Sequence, residues 1–283
     1  MITCHFLNIG KGSCSIIDFP SGNLTMIDID HSRLEGDDEL TDPVAYFRKQ
    51  FPSKGIFRFI LTHPDMDHLS GLDELSKGVV ISNFWDTENT KSFADSDWEN
   101  SPYNKADWDA YQRMQASAEN PKCLKLLQNA KSDCCWNQDG ITILAPTAKL
   151  VKLGNEGDEP QYNHLSYVLR VNHAGRTILF GGDATVEAWD EIKATCGAAA
   201  LKADVFVAPH HGSKYNVNES VFKDIAPDYV IVSVAASVDY DYAYYNGLAK
   251  KMVLSTKYYG TMKLTVKDDG TYLPITVEKN GGT

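Results

Sequence analysis

The sequence predicts an α+β fold in which two β-sheets pack face to face and helices cover them. Short strand-like runs rich in Val, Ile, Phe and Tyr recur in both halves of the chain, separated by turns that contain Gly, Pro or Asn. Amphipathic, helix-like stretches lie between these runs and in the middle of the chain. A sheet with an apolar face must bury that face, and this order of elements favours a second sheet with helices outside as the solution.

The first half of the chain alternates predicted strands with short helices. The strands are residues 3–10, 13–19, 24–30, 55–62 and 79–86. The helices are residues 42–51 and 69–78. The strand over 55–62, GIFRFILT, is mostly apolar, as expected of a buried strand.

Residues 87–135 differ in character because they are polar and carry several aromatic residues, namely Trp98, Tyr103, Trp108 and Tyr111. Their pattern predicts helices over 105–118 and 122–131. We interpret the segment as a helical insertion within a single domain that spans residues 1–283. A packing element would explain it, and so would a lid or a wall of a substrate site.

The second half again consists mainly of strands. They are residues 140–146, 166–175, 176–183, 204–213 and 227–234, followed by three short strands over 252–260, 261–270 and 271–279. Helices are predicted over 185–195 and 219–226.

Composition narrows the class of function. The chain has 283 residues with 43% hydrophobic and 23% charged residues, which is typical of a globular protein. Its 38 acidic and 27 basic residues give a net charge of −11. Broad, non-specific binding of nucleic acid needs a basic face, so this charge balance argues against such binding. A local basic groove is still compatible with it.

The sequence also bears on compartment. We find no run of about 20 apolar residues that would span a bilayer, and no secretory signal at MITCHFLNIG. The cysteines form no CxxC pair and stand at positions 4, 14, 123, 134, 135 and 196. We therefore expect a cytoplasmic protein with reduced thiols and no membrane span.

The run HPDMDH, residues 63–68, concentrates two imidazoles and two carboxylates directly after a predicted strand. Side chains on loops that leave strand ends are aimed by a rigid scaffold. Transition metals bind imidazole nitrogen and carboxylate oxygen at about 2.0–2.2 Å. The run therefore indicates a metal site, although a polar helix start capped by aspartate would give a similar pattern.

Further metal-ligand side chains stand at other predicted strand ends. His164, in NHLS, precedes one strand, and Asp183, in FGGD, ends the next. His210 and His211, in APHHGS, end a third. Five of the eight histidines lie in these motifs, which a random placement of polar residues would seldom produce. We expect structural or surface roles for the others, which are His5, His31 and His173.

In this order, the motifs IDxD, HxDxDH, NHxS, GGD and HHGS resemble those of the metallo-β-lactamase superfamily. Within it they look most like the soluble hydrolase domain of competence-type (ComEC-type) DNA-uptake proteins. The resemblance runs from residues 6–30 to the final strands, and so covers nearly the whole chain apart from the insertion. It implies a four-layer αββα sandwich with two metal ions at one edge of the sheets.

The resemblance also implies a role for individual residues. The implied metal ligands are His63, Asp65 and His164 for one ion, Asp67, His68 and His210 for the other, and Asp183 as a bridge between both. Asp28, in MIDID, would support the site, where a carboxylate can fix the tautomer of a ligating imidazole. His211 would lie near the metals as a ligand, an acid or a substrate contact. Asp67, Asp183 and His211 are thus the candidate catalytic residues.

Asp65 stands where the commonest superfamily motif has a histidine, and competence-type relatives often carry aspartate there. Three aspartates against two divalent ions would leave the site about one unit positive, and a bound hydroxide would neutralise it. The added oxygen ligand favours harder ions. We therefore expect two divalent ions that are either Zn²⁺ or Mn²⁺.

Two such ions about 3.5–4 Å apart activate a shared water and stabilise the attacking and leaving oxygens of an in-line displacement. We therefore expect a hydrolase with a metal-bridging hydroxide, and first a phosphodiesterase or nuclease, because two cations can clamp the non-bridging oxygens of a phosphodiester. Nucleic acid or a nucleotide is the expected partner. Lys11, Ser213 and Lys214 are candidate phosphate contacts, or else solvated loop residues.

Relatives of this type commonly carry another histidine before the final strands, whereas residues 237–252 contain none. Tyrosines stand there instead, at Tyr240, Tyr242, Tyr244 and Tyr245. They could stack on bases or donate to a leaving oxygen, or they could form an ordinary aromatic loop.

Two other classes of function remain compatible with these motifs. One is a hydrolase of another ester on the same scaffold, such as a phosphocholine ester, a lactone, a thioester or a β-lactam. The other is a non-catalytic, metal-stabilised interaction protein, which the aromatic insertion and the missing late histidine would suit.

Overall fold

The strands of the molecule form two sheets. The computed structural model describes residues 1–32, 40–131, 136–234, 240–272 and 276–278, so Cys134 and Cys135 lie outside the described residues. The strands are β1 (Ile2–Phe6), β2 (Ser15–Asp18), β3 (Leu24–Ile27), β4 (Ile56–Ile60), β5 (Ile81–Asp86), β6 (Lys122–Lys125), β7 (Ile141–Ala145), β8 (Val168–His173), β9 (Arg176–Phe180), β10 (Val205–Val207), β11 (Tyr229–Val232), β12 (Met252–Ser255), β13 (Thr261–Val266) and β14 (Thr276–Glu278).

Helices connect and cover these strands. They are α1 (Pro43–Gln50), α2 (Met66–Leu69), α3 (Leu72–Gly78), α4 (Lys105–Gln115), α5 (Ala148–Asn155), α6 (Val186–Cys196), α7 (Glu219–Ile225), α8 (Tyr242–Leu248) and α9 (Thr256–Tyr259). Local chemistry sets their ends. The carboxylate of Asp42, for example, accepts hydrogen bonds from the backbone of Val44 and Ala45, and Pro43 opens α1 with its φ already fixed.

Each sheet is partly antiparallel and partly parallel. The first has the order β14-β13-β1-β2-β3-β4-β5-β6, and it becomes parallel from β3 to β6. The second has the order β12-β11-β10-β9-β8-β7, and it is parallel from β9 to β12. The carboxyl ends of neighbouring parallel strands lie at the same edge of a sheet, so loops after β3, β4, β9, β10 and β11 gather at these edges.

Three apolar layers hold the molecule together. The layer between the sheets contains buried side chains from both, and the rings of Phe6 and Phe180 meet across it with centroids 6.3 Å apart. A second layer joins the first sheet to α1, α3 and α4, with Trp108 at its centre. A third joins the second sheet to α6 and α7, where Trp189 is fully buried. The order helix, sheet, sheet, helix confirms the predicted α+β sandwich.

Two predicted elements are wrong in whole or in part. Residues 256–259, predicted as part of the strand over 252–260, form the helix α9. Residues 122–131 do not form a helix, because 122–125 are β6, which pairs in parallel with the edge of β5. Cys123 packs against the outer layer and Leu124 against the layer between the sheets. The Lys, Leu, Gln and Ala content of this stretch favours a helix, but the open hydrogen-bonding edge of β5 decides the structure. The described part of the insertion is therefore helical only over α4 and the short turn Asp95–Trp98.

Two further expectations from the sequence were reduced thiols and the lack of a membrane span. Of the described cysteines, Cys4, Cys14, Cys123 and Cys196 are free thiols. Burial raises the pKa of the Cys4 and Cys14 thiols, which keeps them protonated and unreactive. In the part of the chain that the structure describes, no helix has the length and apolarity to span a membrane.

Candidate metal centre

The loop after β4 and the short helix α2 carry four of the predicted ligands. His63 and His68 are fully buried, and their ring centroids are 4.2 Å apart. Asp65 directly precedes α2, and its Oδ2 lies 3.3 Å from Nε2 of His63. Asp67 lies within α2, and its Oδ2 lies 3.8 Å from Nε2 of His211 in the loop after β10.

Asp28 fixes the orientation of these imidazoles from behind. It follows β3 and has a positive φ of 56°, a backbone conformation that is costly for a residue with a Cβ and often marks a functional site. Its carboxylate accepts hydrogen bonds of 2.7 Å from the backbone N–H and the hydroxyl of Thr62. Oδ2 also lies 2.8 Å from Nδ1 of His68. The Thr62 hydroxyl lies 3.1 Å from Nδ1 of His63. One buried carboxylate thus contacts both imidazoles, directly or through Thr62.

Asp183 reaches the same point from the second sheet. Its Oδ2 lies 3.8 Å from Nε2 of His63, and its Oδ1 lies 3.4 Å from Nε2 of His68. Gly182 makes this approach possible, because it has a φ of 51° and a Cβ there would lie 3.0 Å from the Tyr167 carbonyl. Each oxygen of this carboxylate therefore faces a different imidazole.

The two histidines after β10 point in different directions. His210 and His211 both have positive φ, 47° and 54°, so the chain turns sharply between their side chains. Nε2 of His211 lies 3.8 Å from Oδ2 of Asp67, and its Nδ1 lies 3.2 Å from the carbonyl oxygen of Ser233. The ring of His211 is also 5.7 Å from that of His68. His211, rather than His210, is therefore the neighbour of Asp67 and His68.

Three ring nitrogens converge without a hydrogen-bond partner. They are the buried Nε2 atoms of His63, His68 and His211. Each ring is within hydrogen-bond distance of a protein oxygen through Nδ1, so a neutral ring with its proton on Nδ1 turns its lone pair inward. Lone pairs then face carboxylates, which also only accept, and unpaired buried polar atoms are costly. A cation between them would satisfy both groups.

The described residues form two groups whose ligand atoms all lie within 4.8 Å of one another. The first is His63, His68 and Asp183, and the second is Asp67, His68 and His211. Neither group contains His164 or His210. His164 lies in the turn Tyr162–Leu165 with its Nδ1 2.7 Å from the Thr185 hydroxyl, and His210 lines the same cavity as Asp183.

Electrostatics favour positive charge at the centre of the site. Burial alone would lower the pKa of His68, but Asp183 and Asp28 outweigh it and raise that pKa well above its usual value. Burial alone would raise the pKa of Asp183, but the imidazoles, His68 first, hold it well below its usual range. Burial lowers the pKa of His211, which favours the neutral ring that binds a metal.

Of the three predicted phosphate contacts, only Lys11 lines the cavity of the site. Lys11 lines the cavity above the site, and its Nζ lies 3.8 Å from Oδ2 of Asp67. Ser213 instead accepts a hydrogen bond from the backbone of Tyr215, and Lys214 pairs with Asp241 at 3.2 Å. Neither Ser213 nor Lys214 is among the residues that line this cavity.

The tyrosines before the final strands support the histidine loop. The hydroxyl of Tyr245 donates to the Ser213 carbonyl at 3.0 Å, and that of Tyr244 donates to the Val217 carbonyl at 2.8 Å. Tyr240 packs against Gly212. Tyr242, Tyr244 and Tyr245 lie in the helix α8 rather than in a loop, and these contacts fit a packing role for the segment.

The three histidines outside the motifs lie away from the site. His5 is buried with its Nδ1 2.8 Å from the Tyr46 hydroxyl, and Nδ1 of His31 lies 3.4 Å from Glu74. His173 lies 2.9 Å from Asp268 near the surface. Structural and surface roles account for all three.

Sequence reasoning missed Lys91. Its Nζ pairs with Oδ1 of Asp65, the oxygen opposite the one that faces His63. The ammonium also lies 5.5 Å from the ring centre of Phe93 and 5.2 Å from that of Tyr162. No motif surrounds this lysine, and its partner is 26 residues away in sequence, so nothing in the local pattern indicated the contact.

No protein-family model matches the sequence, and no curated protein matches it. Solved structures do match. YhfI from Bacillus subtilis, a metallo-β-lactamase fold protein, is 10% identical with a TM-score of 0.53, over 93% of this chain and 100% of that one. Igni18 from Ignicoccus hospitalis, a metallo hydrolase, is 14% identical with a TM-score of 0.53, over 94% of this chain and 100% of that one. Zn²⁺-bound PqqB from Methylobacterium extorquens is 11% identical with a TM-score of 0.52, over 94% of this chain and 100% of that one. With its two sheets and outer helices, the chain has the metallo-β-lactamase fold.

Proposed function

We propose that the chain is a metal-dependent hydrolase that cleaves phosphodiesters of nucleic acids or nucleotides with two divalent ions, Zn²⁺ or Mn²⁺. The observation that carries the proposal is the convergence of three unpaired, buried imidazole nitrogens on the carboxylates of Asp67 and Asp183. The order of motifs, which resembles competence-type hydrolase domains, supports it. Two structures with this fold, described as a metallo hydrolase and as Zn²⁺-bound, add support for metal binding.

The donor set divides into two overlapping positions. His63 and Asp65 would hold one ion and Asp67, His68 and His211 the other, with Asp183 shared. His164 and His210 stay as candidate additional ligands. Bound divalent ions would activate a water and offset the charge that develops on phosphate oxygens.

The chain's own groups would bind and orient the substrate. Lys11 places a cation beside Asp67 at the mouth of the site, where an anionic oxygen would meet it. Asp28 and Thr62 keep the imidazole rings fixed, so the donors need not rearrange during the reaction. His211, held by the Ser233 carbonyl, is the ring nearest to Asp67 on that side.

The test is turnover by metal-loaded protein. Purified protein with Zn²⁺ or Mn²⁺, its metal content measured, is incubated with DNA, RNA, cyclic nucleotides and chromogenic phosphodiesters, and with phosphocholine, lactone and thioester substrates. We expect phosphodiester cleavage that falls at least about 10³-fold in Asp183→Ala and Asp67→Ala, while circular dichroism stays unchanged. The control is Asp109→Asn, because this aspartate is partly exposed and pairs with Lys105 outside the site.

Cleavage of only the other esters would move the function to that class on the same scaffold. No turnover of any substrate with both ions confirmed in place would overturn the proposal. Unchanged activity in Asp183→Ala would overturn the mechanism.

A further inference from the structure

The cavity above the candidate metal centre is lined by chemically different groups. Its volume is about 480 Å³, within the range of small-molecule sites. Phe93, Trp98 and Tyr103 line one side, and the amides of Gln161 and Asn163 line another. Carboxylates of the site and the ammonium groups of Lys11 and Lys91 also line it.

The aromatic side is rigid because it is anchored in the core. Phe93 packs edge to face on Trp98 at 5.0 Å and on the buried Trp108 at 4.8 Å. Trp108 in turn lies 4.9 Å from Tyr111, which is also buried. Phe93, Trp98 and Tyr103 are themselves only partly buried, so they retain surface that faces the cavity. A ligand ring would meet a preformed wall and lose little free energy to ordering it.

Lys91 is fixed where this wall meets the metal ligands. It pairs with Asp65 and lies over the rings of Phe93 and Tyr162. Its side chain is 16% exposed, so the ammonium keeps limited access to the cavity that it lines. An ammonium has three N–H donors. Its pairing with the Asp65 carboxylate leaves the Lys91 ammonium able to donate to an anionic oxygen of a ligand as well.

Resting on the proposed function, we infer that residues 91–103 form a subsite for the ring of a nucleotide-sized phosphodiester. Trp98 and its aromatic neighbours contact the face of the base, and Lys91 contacts a phosphate oxygen. Gln161 and Asn163 offer both donors and acceptors to the edge of the base. The size of the cavity and the net charge of −11 favour a compact nucleotide over a long polyanion.

The experiment compares two esters with the same leaving group, thymidine 5′-(p-nitrophenyl phosphate) and methyl p-nitrophenyl phosphate. Kinetics are measured for wild type, Trp98→Leu, Trp98→Phe and Lys91→Met, with metal content checked. Calorimetry with thymidine 5′-monophosphate measures binding independently of turnover. Tyr215→Leu, an exposed aromatic residue outside the cavity, and Lys105→Met, which pairs with Asp109, are the matched controls.

We expect wild type to prefer the thymidine ester. Trp98→Leu should raise KM for it about tenfold, as loss of one stacked base does, and leave the methyl ester within about twofold. Trp98→Phe should retain most of the preference. Lys91→Met should raise KM for both esters, and both changes should weaken binding of the monophosphate about tenfold.

Equal effects of Trp98→Leu on both esters, or monophosphate binding that neither variant changes, would overturn the subsite. If neither ester is cleaved, the proposed hydrolysis fails, while the binding measurement still decides whether the subsite exists.

Discussion

Replacing Asp28 with asparagine should weaken metal binding without unfolding the chain. Asparagine keeps the shape of the side chain but turns one acceptor into an amino group that only donates. In the structure, Oδ2 of Asp28 lies 2.8 Å from Nδ1 of His68 and accepts from the Thr62 hydroxyl at 2.7 Å. An amino group there would donate to Nδ1 of His68, which would move the ring proton to Nε2, where a metal must bind.

The same change would reach His63 through Thr62. The threonine hydroxyl would lose its acceptor on Asp28 and donate instead to Nδ1 of His63, 3.1 Å away, so this ring too would carry its proton inward. A flipped amide would set its amino group against the Thr62 N–H, which now donates to Oδ1 at 2.7 Å. Loss of one such partner costs about 10- to 100-fold in metal affinity, so two affected rings give about 10²- to 10⁴-fold.

The assay is calorimetric titration of metal-free protein with Zn²⁺ or Mn²⁺ in the presence of a competing chelator. Asp109→Asn is the control, because it removes a carboxylate that pairs with Lys105 outside the candidate site. We expect the control to keep affinity within about threefold. Asp28→Asn protein with native circular dichroism and wild-type affinity would refute the tautomer argument.

Two further predictions concern stability. Arg58 and Asp139 form a buried ion pair at 2.5 Å, so Asp139→Ala should cost about 3–5 kcal/mol in denaturant unfolding. Arg58→Met with Asp139→Leu should cost clearly less, and equal losses would contradict this account. Burial raises the pKa of Asp86 to about 6, although hydrogen bonds, from Gln115 first, partly lower it. In the unfolded chain the pKa of this carboxyl is 3.8. The folded state therefore binds the extra proton between these values, so the free energy of unfolding should fall by about 2 kcal/mol from pH 4 to pH 7 relative to Asp86→Asn. Parallel pH profiles of the two proteins would contradict this prediction.

The sequence was informative about the site where strand ends carry ligands. HPDMDH follows β4 and GGD follows β9, so once these strands are recognised, the parallel parts of the two sheets bring His63, His68 and Asp183 together. Strand periodicity and turn residues also predicted most strands of both sheets. These features depend on local patterns that a single sequence displays.

Contacts that depend on backbone direction or on distant partners were not predictable. HHGS contains adjacent histidines, and only the left-handed backbone at both positions turns His211 towards Asp67. Lys91 meets Asp65 because the polar segment after β5 folds back over the site, which no spacing indicates. The pairing of β6 with β5 likewise depends on a partner that local helix propensity ignores.

The central claim is that buried imidazoles and carboxylates from both sheets enclose divalent ions. Anomalous diffraction from crystals grown with Mn²⁺ or Zn²⁺, recorded on both sides of the metal absorption edge, tests it most directly. We predict two peaks, each about 2.0–2.3 Å from its ligand atoms, one beside Nε2 of His63 and one beside Nε2 of His68 and His211, with Asp183 between them. A map without peaks there, in a crystal whose protein retains these side-chain positions, would contradict the account.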